Sequence, residues 1–140
     1  MMRILRSAGA RLGLVYDFDG VQHISTLLDH QLLQHAKAQG MQDTMLEALF
    51  TAFFAKARDL RQIDELVGRA GGIGLDAGDV RRVLVSRRYL DAVRADRDLA
   101  GTYGVVGIPA YVVGGEELIR GAKRREVIVE ALRRAAVYRA

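Results

Sequence analysis

The hydrophobic pattern of the chain changes character once, at Gly104, and that change restricts the fold more than any other feature. Upstream, apolar residues recur at spacings of three and four, the signature of amphipathic helices. Downstream, Val105-Val106-Gly107-Ile108-Pro109 leads into Ala110-Tyr111-Val112-Val113, a β-branched run. Gly114-Gly115 then supplies a hairpin turn, Glu117-Leu118-Ile119-Arg120 a return strand, and Gly121 a break. A last amphipathic helix follows from Lys123 to Tyr138, with Val127, Ile128, Ala131, Leu132 and Ala135 on one face. The expected fold class is therefore mainly α with a small β-hairpin, an α+β chain.

Five short helices are predicted between residues 22 and 103. The first starts where Ser25 or Thr26 can cap it, with Asp29 in the first turn, where the helix dipole favours a negative charge, and ends at Gly40. The second runs from Asp43 to Ala57 through Leu46, Leu49, Phe50, Phe53 and Ala57. A third fits Arg61 to Ala70. The fourth opens at Asp76, with Asp79 three residues on, much like a capping box with Asp in place of Glu. The fifth extends from Arg88 to Tyr103. Residues 1 to 21 read as irregular, with Leu14-Val15-Tyr16 as a short extended segment. The chain is expected to be a single domain, 1–140, with a helical bundle at 22–103 and the loop, hairpin and terminal helix at 104–140.

Composition narrows the function. At 140 residues the chain is long enough to bury a core. It has no cysteine, which excludes a disulfide scaffold, Cys-ligated zinc and a thiol nucleophile on this chain. Lys and Arg number 21 against 17 Asp and Glu, for a net charge of +4. The arginine pairs at 81-82, 87-88, 124-125 and 133-134 read as solvated helix faces, since no aromatic-basic platform accompanies them. Nucleic-acid binding is not expected. No targeting signal or membrane-spanning run is visible, so neither a membrane nor an export route is expected and the default location is the cytoplasm.

Candidate chemistry is sparse. Gly71-Gly72-Ile73-Gly74 follows a helix, not a strand, and so reads as a helix end and turn in preference to a phosphate loop. Phe50, Phe53 and Phe54 form an aromatic stripe, read as core in preference to a ligand groove. The histidines are His23, His30 and His35. His30 and His35 stand five apart, not at the i, i+4 spacing of a zinc pair. His30 is expected to be packed or capping, and neither a metal nor a cofactor is expected. No residue is assigned a catalytic role. The lone proline carries more. Following Gly-Val-Val-Gly-Ile, it belongs at a strand entry, where it removes no ladder hydrogen bond. A cis bond there would turn the Ile108 backbone outward, free to pair with an extended peptide.

Taken in order, these segments resemble the DsbA-like thioredoxin-fold proteins of the FrnE type. Gly104 to Val113 is similar to their cis-proline loop. Ser25-Thr26-Leu27-Leu28-Asp29-His30 and Ala36-Lys37-Ala38-Gln39-Gly40 are similar to the start of their helical insertion. Leu49 to Phe54, Gly74-Leu75-Asp76 and Tyr103-Gly104-Val105 match in order. The resemblance carries peptide-facing roles onto Thr26, His30, Ile108 and Pro109. It implies a thiol-disulfide oxidoreductase family. That family's opening strand and Cys-x-x-Cys helix would lie before residue 1, so a truncated thioredoxin-like fold is expected, inactive alone and acting in peptide or partner recognition. Ser25 replaces the usual Asn and Asp29 the usual Ala. A related branch, the kappa glutathione transferases and 2-hydroxychromene-2-carboxylate isomerases, uses a serine in that same missing section, and Ser25 stands in the wrong motif to replace it. With only two strands, the sheet implies a partner: a second copy, or a polypeptide carrying the Cys-x-x-Cys half. The competing readings are a non-catalytic helical oligomerisation module and a small-ligand binder related to the isomerase branch.

Overall fold

A computed structural model of the chain describes residues 2–20 and 25–137. The element order is α1 (Met2–Ala10), α2 (Leu27–Ala38), α3 (Gln42–Phe50), a π-helical turn (Thr51–Ala55), α4 (Ile63–Gly72), α5 (Ala77–Ser86), α6 (Leu90–Thr102), β1 (Ala110–Val113), β2 (Glu117–Arg120) and α7 (Arg125–Val137). The chain divides into two compact units, Met1–Val93 and Arg94–Ala140. The mainly helical α+β class follows directly from this order. His23 and the start of the expected bundle at residue 22 lie outside the described residues.

The first unit is built on one core. Helices α2, α3, α4 and α5 pack together. Their apolar stripes converge on Leu32, Ala36, Met45, Leu49, Leu66 and Leu84, all buried. Each large side chain removed from water there contributes on the order of 2 kcal/mol. The ends are set by local chemistry. Asp76 caps α5, its Oδ1 accepting from the Asp79 N–H at 2.6 Å. At the end of α4, Leu75 N–H donates to Ala70 O at 3.0 Å, so the glycine run at 71–74 is a helix end and turn.

Residues 2–10 depart from the irregular reading, because they form α1. The sequence hid this helix, since Met2, Ile4 and Leu5 stay exposed and make no buried stripe. Gly9 allows its packing: a Cβ there would stand 2.4 Å from Cε2 of Tyr16. Leu14-Val15-Tyr16 is a loop, not a strand.

The second unit holds the antiparallel pair β1 and β2, with Ala110 opposite Arg120, Tyr111 opposite Ile119, Val112 opposite Leu118 and Val113 opposite Glu117. The helix α7 packs against β1. Arg134 joins Glu117 through a 2.7 Å ion pair. Among the described residues of this unit, Ile119 and Ala131 are the buried ones.

Candidate functional site

The segment that joins α6 to β1 is pinned at both ends and bare in the middle. Gly104, at φ +70°, ends the helix in a conformation that costs other residues energy. Its carbonyl accepts from Arg120 Nη2 at 3.2 Å. Val105 N–H donates to Ala100 O at 3.0 Å. At the other end, Gly121 N–H donates to Pro109 O at 2.8 Å, closing the hairpin below the loop. Between these anchors Val106 is 90% exposed and Ile108 94% exposed. No backbone hydrogen bond reaches residues 106–108 among the described residues. The Ile108–Pro109 peptide bond is cis. The loop therefore presents two branched apolar side chains to water beside backbone groups that make no backbone hydrogen bond among the described residues.

Thr26 and His30 share the first turn of α2, in the first unit. Thr26 holds the N-cap position, yet its side chain makes no capping bond. Its carbonyl accepts from His30 N–H at 3.0 Å. Both side chains are exposed. His30 is thus neither packed nor capping.

The buried histidine is His35, 3% exposed, with Nε2 3.6 Å from Asp79 Oδ2 and Nδ1 without a partner. Asp29 stands in the first turn of α2, where the helix dipole favours a negative charge, yet the packing buries it. It is 7% exposed, one of its oxygens has no partner, and burial pushes its carboxyl up to about 6. Sequence spacing carried one sign of this, since Asp29 lies beside the Leu28 and Leu32 stripe. No group of three His, Asp or Glu side chains that could hold a metal occurs among the described residues.

A family profile, the DsbA-like thioredoxin domain, matches residues 1–133. The chain belongs to the DsbA-like thioredoxin family. Its fold is similar to that of a "probable DsbA oxidoreductase" from Streptomyces coelicolor, with a TM-score of 0.90 and 36% identity over 99% of this chain and 60% of that one. Its sequence is 27% identical to "Uncharacterized protein YwbO" of Bacillus subtilis over 124 residues, covering 87% of this chain and 62% of the relative. The chain thus spans about three-fifths of the length of either relative. Family membership places the cis-proline segment in a DsbA-like thioredoxin domain, and these 140 residues contain no cysteine. No described helix is long and apolar enough to cross a membrane.

Proposed function

We propose that these residues form the recognition part of a FrnE-type thiol-disulfide oxidoreductase, inactive by itself. The observation that carries this reading is the exposure of Ile108 and Val106 on an anchored loop, beside backbone groups with no partner. An extended, thiol-bearing peptide pairs with that backbone while its side chains rest on the two apolar residues. Thr26 and His30, exposed at the start of α2, are taken from the family resemblance as peptide contacts of the first unit in their own right. Redox chemistry needs a thiolate, and the chain has no cysteine to supply one. The thiols therefore stand on polypeptide outside these residues.

The same proposal assigns a partner. A two-stranded sheet is marginal alone and leaves edges able to pair. That edge is taken by a segment carrying Cys-x-x-Cys or by a second copy.

Two measurements test the reading. The purified chain is expected to give no turnover in an insulin-reduction assay, and thiol-dependent turnover would overturn it. Titration with a reduced, alkylated peptide of extended sequence, followed by amide NMR, should shift residues 105–113 first. An unmoved loop would reject the peptide-binding role. Solution mass tests the partner: a clean monomer at high concentration that also ignores a Cys-x-x-Cys thioredoxin-fold polypeptide removes that claim.

A further inference from the structure

The first unit contains a groove of about 490 Å³, within the size range of small-molecule sites. The loop at Leu14-Val15-Tyr16 forms one wall, and Phe50, Thr51 and Phe54 form the other. The aromatic stripe read as core is thus divided. Phe53 packs against the core, while Phe50 is 48% exposed and faces the groove with Phe54.

The wall is shaped by an unusual backbone. The helix α3 passes into the π-helical turn Thr51–Ala55, a geometry that is rare and frequently marks functional sites. The Phe54 carbonyl is free to accept from Asp17 N–H at 2.7 Å, which ties the opposite wall in place. The Phe54 ring lies at the centre of an aromatic cluster. Its centroid is 5.8 Å from Phe50, 5.0 Å from Phe53 and 6.0 Å from Tyr16. Tyr16 in turn stacks on Phe18 at 4.9 Å, and the Arg6 guanidinium sits 5.9 Å from the Phe18 ring. One edge of this cluster already holds a cation.

Charge then selects the ligand. The chain carries a net charge of +4, yet among the described residues no Lys, Arg or His lines the groove, and the charged lining residue is Glu47. The groove also lies at the C-terminal end of a helix, where the carbonyl dipoles favour positive charge. Aromatic faces, a carboxylate and a helix C-terminus all attract the same species.

We propose that this groove binds a small organic cation, an amine or quaternary ammonium with an apolar body. The ammonium lies between the Glu47 carboxylate and the Phe50 and Phe54 rings, and the apolar body rests on Leu14 and Val15. This site is separate from the peptide loop and does not depend on it.

The probe is benzyltrimethylammonium, titrated into the full chain and followed by amide NMR, with benzyl alcohol as the neutral control. Saturable shifts are expected at Gly13, Thr51 and Ala55, with none of that saturation from benzyl alcohol. Glu47→Gln and Phe50→Leu, both at exposed positions, should each weaken binding by roughly threefold to fivefold, the effect of one exposed ion-pair or cation–π contact. The proposal is overturned by any of three results: no saturable shift at those residues, equal binding of the alcohol, or unchanged affinity in both variants.

Discussion

The two compact units differ in how much of a sealed core they build. In the first, Leu32, Met45, Leu66, Val80 and Leu84 are sealed from water by four helices. In the second, Ile119 and Ala131 are buried while Val106, Ile108, Leu99 and Leu132 face solvent. A core of the first kind stabilises its own unit. Apolar side chains of the second kind contribute little to the fold that displays them, so they are available for contact. The difference teaches where to look for contact surfaces: at exposed apolar residues outside a sealed core, such as these in the second unit and Val15 and Phe50 in the first.

The sharpest way to break this comparison is to truncate one leucine in each unit. Leu66→Ala leaves a cavity under α4 and is expected to cost about 2–5 kcal/mol in urea unfolding. Leu132→Ala, on the exposed side of α7, should change stability by less than about 0.5 kcal/mol. Equal losses would mean that the second unit is held by apolar contacts of the same kind, and the contrast would fail.

The buried carboxyl of Asp29 sharpens the picture of the first unit. Its folded pKa is raised, from an ordinary 3.8 to about 6, because burial disfavours the charged form. Between those values the folded chain holds a proton that the unfolded chain has released. This group's contribution to stability is therefore greatest below pH 3.8 and declines as pH rises towards 6. Asp29→Asn keeps the shape and removes the ionisation. It should stabilise the chain by about 1–2 kcal/mol at pH 7.5 and by almost nothing at pH 3.5. A gain of the same size at both pH values would assign the effect to packing.

How much of this was legible in sequence depended on whether one residue's chemistry decided the outcome locally. Asp76 and Asp79 announced a cap, and the cap is there. The bulk of α2, α3 and α5 followed from apolar spacing, because each buries a stripe, whereas of the expected face of α7 Ala131 is buried and Val127 and Leu132 are exposed. The helix α1 is not legible because it buries almost none of its apolar residues, and its contacts, Gly9 against Tyr16 and Arg6 with Tyr16, Phe18 and Asp19, join residues with no shared period. The π-helical turn was invisible for a related reason, since inserting it into a continuing helix leaves the local pattern nearly intact. In the second unit Pro109 marked the loop, whereas in the first the burial of His35 involves Asp79 and Tyr89, outside its own helix and beyond local spacing. A prediction follows from the legible end: Asp76→Ala should cost about 1 kcal/mol, read by chemical denaturation, with the loss confined to α5 amides in hydrogen exchange.

The smallest expected effect on stability belongs to Ile108, and that is what makes it informative. A side chain 94% exposed has almost no contacts to lose. Ile108→Ser should therefore leave the unfolding midpoint within about 0.5 kcal/mol of the parent chain. The same change removes most of the apolar surface at the tip of the anchored loop, where Gly104 and Pro109 are held by Arg120 and Gly121. If that tip meets an extended peptide, affinity should drop by roughly tenfold, the value of one buried aliphatic side chain lost from an interface. A variant that folds as before yet binds as before would make Ile108 a surface residue without a role. Unchanged stability with weakened binding would separate display from support within one residue, which is the distinction the two units draw at larger scale.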